Sequence, residues 1–310
     1  MATVRLLHLS DLHIPASDGW RWSAFEPALL EDVARNAYYL RAACDVILVS
    51  GDLADSGEAG DIERASGFVS ARPQSSRTPW LSVDGQPTLQ AAGKPILFLP
   101  GNHDRFKTWK LGNPAGKEFD KLFSSGWPDG MGSVNAVPLP DKDNAVLSLV
   151  FADFTLQRKR DAQGFRGHWG QGLVAPGCLK KLVSSTREAQ ARKCAVVWVV
   201  HFAPEFKGLE KSLELLAGDE LMKSARAMNV RHIFCGHTHK RRVYSGKKPP
   251  PDVKVHCAGT ACCNGTREDT TFHLVEIDVA GGDVIEVREK TMAWNASDRD
   301  FRYKSENDFK

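Results

Sequence analysis

The chain has 310 residues, 42% hydrophobic and 25% charged, enough to bury one large core or two smaller ones, and this excludes disordered, collagen-like and disulfide-scaffold readings. Forty-one Lys and Arg against 38 Asp and Glu leave a formal net charge of +3, which excludes a dedicated nucleic-acid coat and a polybasic membrane binder. The longest apolar runs, such as 146–152 and 195–200, have the length of a strand and fall well short of the roughly 18 residues that a spanning helix needs.

In chain order, residues 4–9 read as a strand. Ser23 and Glu26 form a capping-box pair opening a helix whose apolar residues Phe25, Leu29, Val33, Ala37 and Leu40 recur every three or four positions. Buried strands follow at 45–49, 95–99 and 146–151, then a helix over 175–192, a strand at 195–200, a helix over 210–228 and a strand at 231–235. Residues 253–257, 271–278 and 284–288, with turns such as Gly281-Gly282, read as antiparallel strands. This order predicts an α/β fold, a two-sheet β-sandwich flanked by helices in four αββα layers. Irregular segments at about 71–93, 105–140 and 153–172 are long enough to be functional loops. The expected organisation is therefore one domain over 1–292 carrying these insertions, then a polar C-terminal extension at 293–310.

Residues 1–10 carry one Arg and lack the apolar region of about 7–15 residues of a cleaved signal, so a cytoplasmic location is expected. Seven cysteines, Cys44, Cys178, Cys194, Cys235, Cys257, Cys262 and Cys263, include no CxxC pair and read as reduced core residues. The vicinal Cys262-Cys263 is either a packed turn or a redox-active pair.

The informative residues sit where the predicted strands end. Ser10-Asp11-Leu12-His13 follows the first strand, Ser50-Gly51-Asp52 the second and Gly101-Asn102-His103-Asp104 the third. His201 follows the fifth and Gly236-His237-Thr238-His239 the sixth. Each motif alone is commonplace; all of them at strand C-termini, where α/β folds place ligands, define one site. Carboxylates, an amide oxygen and imidazoles are hard-to-borderline donors that suit Mn, Fe or Zn. The alternating pairs Asp11/His13 and His237/His239 each project two side chains to one side of an extended backbone. Asp11, His13, Asp52, Asn102, His201, His237 and His239 are too many ligands for one transition ion, but two ions about 3.5–4 Å apart that share a carboxylate would use them all.

These motifs resemble the complete signature of the calcineurin-like metallophosphoesterase superfamily over roughly residues 4–280. The segments 167–172 and 197–204 look most similar to the branch of class III cyclic-nucleotide phosphodiesterases and glycerophosphodiesterases. Phe202-Ala203-Pro204 departs from that branch, which usually shows a second His and two prolines there. The resemblance implies a metallophosphoesterase-like fold, with Asp11, His13, Asp52 and His239 holding one metal and Asp52, Asn102, His201 and His237 the other. The implied reaction is hydrolysis of cyclic nucleotides or other small phosphodiesters by a metal-bridging hydroxide, with two divalent or mixed-valence ions of Mn, Fe or Zn. His103 would stabilise or protonate the leaving oxygen and Asp104 would orient it.

Arg158, Lys159, Arg160 and Arg166 in one loop, and Lys240-Arg241-Arg242 after a ligand, either focus anionic substrate or form a solvated face. Phe106, Trp109 and Trp127 either line a pocket or pack under a long loop. The substrate-binding set is read as Arg158, Arg160, Arg166 and Trp109. Alternatives are a nuclease of the same superfamily, against which the near-neutral charge stands, a broad phosphomonoesterase, and a non-catalytic scaffold, against which the full ligand set stands. The expected partners are a small phosphoester substrate and, for assembly, a second copy of the chain in a homodimer, without membrane or nucleic acid.

Overall fold

The computed structural model describes residues 1–17, 25–74, 77–106, 116–123, 133–139, 145–155, 170–206, 211–245, 253–263, 269–295, 297–298 and 300–304. In chain order its first elements are β1 (Ala2–Leu9), α1 (Pro27–Leu40), β2 (Val46–Val49), α2 (Ala59–Ser70), β3 (Ile96–Phe98), α3 (Asn102–Arg105), α4 (Gly116–Phe123), β4 (Val134–Leu139), β5 (Leu147–Ala152), β6 (Gly172–Leu173) and α5 (Pro176–Ala191). The remainder are β7 (Ala195–Val200), β8 (Leu215–Leu216), α6 (Gly218–Ala227), β9 (His232–Cys235), β10 (Arg242–Ser245), β11 (Lys254–Cys257), β12 (Thr271–Ala280), β13 (Asp283–Asn295) and β14 (Asp300–Lys304).

One sheet has the order β14-β13-β12-β1-β2-β3, the other β10-β11-β9-β7-β5-β4. Within them β1, β2 and β3 run parallel, as do β5, β7, β9 and β11, so the strand ends that carry the motifs emerge together. Strand β7 shows why its sequence is continuously apolar: Ala195, Val197 and Val199 join the core containing the first sheet, α1 and α2, while Val196, Trp198 and Val200 join the core beneath α5 and α6. Trp198 also donates its indole N–H to Thr186 of α5 at 2.8 Å, leaving no buried donor idle. The two sheets are thus flanked by helices, as the element order predicts.

Several local expectations change. Helix α1 begins at Pro27, with extended Glu26 before it and no side-chain cap; proline needs no N–H partner in a first turn, and Ser23 lies outside the described residues. The helix expected over 210–228 is only α6. A 3-10 turn at Lys211–Leu213 and strand β8 occupy its start, and Ala217 at φ 55° breaks the helical path. Strand β11 lies parallel to β9 in the second sheet rather than joining an antiparallel succession with β12. The expected C-terminal extension from 293 is instead partly sheet: β13 continues to Asn295 and β14 pairs with it, because Phe301 has an apolar site against Phe272 and Trp294, at 4.7 and 5.3 Å between ring centroids. The loop region 105–140 contains α4 and β4, anchored by stacked Phe119 and Phe123 against Phe98. Among the described residues no helix is long and apolar enough to cross a membrane. All seven cysteines are buried thiols, and burial together with Cys263 pushes the Cys262 thiol well above its usual range, as befits packing rather than redox exchange.

A polar cluster interrupts the apolar sandwich. His8 and His273 are register partners on β1 and β12, His232 Nδ1 lies 2.9 Å from His256 Nε2, and His256 Nδ1 hydrogen-bonds Glu289 of the opposite sheet. Burial, then neighbouring histidines, brings His8 and His232 down to about 3, and burial brings His273 to about 4 against the opposing pull of Glu289. Burial alone would raise Glu289, but His256 and its hydrogen bond bring it down to about 2. All four groups bind protons more readily when unfolded, so their stabilisation is complete above the ordinary histidine value of 6.5 and is lost as pH falls toward the folded values. Urea-unfolding midpoints are expected to fall steadily from pH 6.5 to 4; a midpoint that rises over that range would contradict the neutral buried histidines.

Candidate metal centre

The loops leaving β1 and β2 lie side by side. Asp11 donates its N–H to the Gly51 carbonyl at 3.0 Å, His13 to that of Asp52 at 3.0 Å and Ile14 to that of Leu53 at 2.9 Å. This pairing holds side chains in a backbone conformation that L-residues seldom adopt. Asp11 (φ 52°), His13 (49°), Asp52 (50°), His237 (70°) and His239 (52°) are five of the nine non-glycine residues with positive φ among those described. Each costs on the order of 1–3 kcal/mol, which the surrounding hydrogen bonds must offset. Such concentration at the predicted ligands marks a site built at the expense of local stability.

Glycines permit the close approach. A Cβ at Gly101 would lie 2.1 Å from Asp52 Oδ1, and one at Gly236 only 1.8 Å from Ser10 Oγ and 2.5 Å from Asp11 Oδ2. Gly51 combines both demands, with φ 105° and a Cβ position 2.3 Å from His201 Nδ1.

Two donor clusters result. In the first, His13 Nε2 and His239 Nε2 face each other at 2.8 Å, with Asp11 Oδ1 at 3.9 and 3.5 Å from them. In the second, His201 Nε2 lies 3.2 Å from each of Asn102 Oδ1, His237 Nδ1 and Asp52 Oδ2. Asp52 Oδ2 is also 3.9 Å from His13 Nε2, so one carboxylate oxygen faces both clusters. All seven predicted ligands converge, and six of them are almost fully buried, His239 being partly exposed.

The tautomers can be read from the outer partners. His201 donates Nδ1–H to the Ser50 carbonyl at 2.9 Å, and His237 donates Nε2–H to the Leu213 carbonyl at 3.0 Å. Each ring then turns its other nitrogen toward its neighbour across 3.2 Å, an arrangement that a bound cation would satisfy. Charge agrees. Burial would raise the Asp11 carboxyl, but His239 brings it to about 2; burial would likewise raise Asp52, but His201 and His103 hold it well below the usual carboxylate range. Burial keeps His237 at about 3 and His13 well below its ordinary value, while Asp52 outweighs burial to lift His201 to about 9, so positive charge is demanded at that point. Ionised carboxylates and neutral His13 and His237 are already in the donor state that divalent metals bind, and His201 would give up its proton to an ion.

His103 donates its main-chain N–H to Asp52 Oδ1 at 2.9 Å and its Nδ1–H to the Asp55 carbonyl at 2.6 Å, which leaves Nε2 for the site. The group that orients its ring is thus Asp55 rather than the expected Asp104. The Asp104 carboxylate accepts the N–H groups of Gly101, Leu53 and Ala54 at 2.9, 3.2 and 2.8 Å, and so ties the second motif to the third. Burial and the charge of Asp52 raise it to about 7 despite those bonds.

Sequence reading missed Asp55, which forms a cluster with His13 and His103 and whose Oδ1 lies 4.0 Å from His13 Nδ1. Its signal was a second acid three residues after Asp52. It also missed Arg105, fully buried and bonded to Asp153 at 3.1 and 3.0 Å and to Asp120 at 2.5 Å, which fixes the Asn102–Arg105 turn against the end of β5. Phe106 packs in the interior rather than facing substrate, and Arg242 leans over its neighbour Phe206 at 5.5 Å. Arg158, Arg160, Arg166, Trp109, Lys159 and Trp127 lie outside the described residues.

Comparison with known proteins follows this geometry. The family described as calcineurin-like phosphoesterase matches residues 4–241. Among solved structures, a dimetal phosphatase from Danio rerio is similar at a TM-score of 0.56 and 11% identity, covering 92% of this chain and 98% of that one. A purple acid phosphatase from yellow lupin seeds is similar at 0.58 and 14% identity over 97% of this chain and 53% of that one, so this chain spans about half that protein's length. At such identities the likeness is one of fold. No curated protein matches the chain.

Asp52→Ala is expected to abolish uptake of both metal equivalents after manganese loading and desalting, since its carboxylate serves both clusters. Asn102→Ala should weaken only one equivalent, by more than about 10-fold. Elemental analysis alongside thermal melts checks both; retention of two tight equivalents by folded Asp52→Ala would refute the assignment.

Proposed function

We propose, from the premise that the chain belongs to the calcineurin-like phosphoesterase family, that it is a dinuclear metal-dependent phosphodiesterase acting on cyclic nucleotides or other small phosphodiesters. The observation that carries this reading is the Asp52 carboxylate shared between two donor clusters. Asp11, His13, Asp52 and His239 would hold one ion, and Asp52, Asn102, His201 and His237 the other. Bound there, two Mn, Fe or Zn ions supply charge neutralisation of the phosphoryl oxygens and activation of water.

The chain's own residues do the rest. The carbonyls of Ser50 and Leu213 fix which nitrogen each ligand ring presents. His103 Nε2 is directed into the site by the bond at Nδ1, in position to give a proton or hydrogen bond to a leaving oxygen. That arrangement would serve an alkoxide leaving group, which gains most from a proton. A phosphomonoesterase reading shares every one of these residues and differs only in the substrate that turns over fastest.

A panel of 3′,5′- and 2′,3′-cyclic nucleotides, glycerophosphodiesters, nucleoside monophosphates and single-stranded DNA, assayed with manganese, decides among these. Highest kcat/KM is expected on a small diester; faster turnover of monoesters would overturn the diester reading. His103→Ala should lose about 10²–10⁴-fold on an alkyl diester and much less on a nitrophenyl ester, whose leaving group needs no proton. Equal losses on both would assign His103 to binding.

A further inference from the structure

The turn after His201 departs from the branch pattern at Phe202, and the structure gives that residue a different place from a substrate-facing wall. Phe202 is fully buried, with its ring centroid 5.1 Å from that of His201 and 4.7 Å from that of His237. It lies behind the two imidazoles of the second cluster. On its other side comes Gly172, where a Cβ would stand 2.6 Å from the Phe202 ring and 2.9 Å from Leu215.

Gly172 belongs to β6, which pairs in parallel with β8 as a sheet of only two strands, separate from the main pair of sheets. Gly172 donates to the Glu214 carbonyl at 3.2 Å and Val174 to that of Leu216 at 3.0 Å. Gln171 adds a side-chain bond from Nε2 to the Lys211 carbonyl at 2.6 Å. Gly170 continues the close approach, since a Cβ there would lie 2.7 Å from Leu213 and 3.0 Å from the Ser212 carbonyl. Residues 211–216 are therefore held by 170–174 on both sides of Leu213. The Leu213 carbonyl is the group that accepts Nε2–H of His237 and leaves Nδ1 for a metal.

We propose that the two-stranded sheet of β6 and β8 is a positioning device for His237, with Gly172 and Gln171 as positioning residues that set the Leu213 carbonyl and, through it, the affinity of the second metal position. A main-chain acceptor can hold an imidazole only as firmly as its own segment is held. No regular element of the main sheets carries Leu213, which closes a single 3-10 turn, so its support comes from this pairing. In the first cluster, Asp11 and His13 are fixed by the loops after β1 and β2.

This inference depends on the dinuclear reading above, and its test separates the two. Full-length, chelator-stripped protein is titrated with manganese(II) by calorimetry. Wild type should take up two equivalents. Gly172→Ala, whose added methyl must push β6 away from Phe202 and β8, is expected to weaken one equivalent by about 10- to 100-fold and leave the other within about twofold. Gln171→Ala, a gentler change, should weaken the same equivalent by a smaller factor without lowering the melting temperature of the metal-free protein. It reads the proposal even if Gly172→Ala fails to fold. Gly177→Ala, where an added Cβ meets nothing within 4 Å, serves as the control and should match wild type. A wild type that binds a single equivalent would sink the dinuclear reading. Two equivalents in wild type with Gln171→Ala and any folded Gly172→Ala unchanged, or with both equivalents weakened alike, would overturn the role of the small sheet alone.

Discussion

The carboxylate of Asp52 has to face two groups of imidazoles at once, and much of the surrounding structure follows from that requirement. It sits at the end of β2 in a left-handed backbone conformation, with one oxygen 3.2 Å from His201 and 3.9 Å from His13. Its other oxygen accepts the main-chain N–H of His103, so the third motif is docked onto the second. Were a side chain present at Gly101, that docking could not occur. A buried acid among these rings calls for positive charge beside it, and the facing nitrogens of His201 and His237 mark a place where a cation would sit.

The fold provides this convergence through parallel strands. Because β1 and β2 in one sheet, and β7 and β9 in the other, run in common directions, their C-terminal loops gather at one edge of the sandwich. Cross-sheet bonds finish the closure: His237 donates its N–H to the Asp11 carboxylate, Thr260 holds the Asp11 carbonyl, and the Gly236 N–H meets the His201 carbonyl. The price is a run of residues at positive φ, offset by the depth of the two cores on either side. Rigidity of this kind keeps the outer hydrogen-bond partners in place, and those partners choose the tautomer of each ligand.

The nine histidines among the described residues, of ten in the sequence, divide along the same line. His13, His103, His201, His237 and His239 gather at the edge, while His8, His232, His256 and His273 lie inside the sandwich around Glu289. His8 joins the two groups through Ser50, donating or accepting at 2.9 Å with its hydroxyl, while the Ser50 carbonyl holds His201. Composition could not separate these sets, since a strand histidine such as His8 looks from sequence like any residue before a motif.

The architecture and seven candidate ligands were legible in the sequence. Apolar runs of strand length mark buried strands, and short-range spacings such as Asp11/His13 and His237/His239 bring donors to strand ends, whereas their left-handed backbone and the division of His237 and His239 between two clusters came from tertiary packing. Sequence reading misplaced what depends on distant neighbours. Residues 211–216 carry helical periodicity, yet pairing with β6 overrode it; in the polar stretch from 300, Phe301 packs against Phe272 and Trp294. Spacing pointed to Asp104 as the support for His103 and passed over Asp55, and only the packed loops decided that the Asp104 carboxylate would bind three main-chain amides while the Asp55 carbonyl took the ring. Outer partners such as the carbonyls of Ser50 and Leu213 belong to every residue type alike, so their identity resides in tertiary geometry and leaves no trace in side-chain spelling.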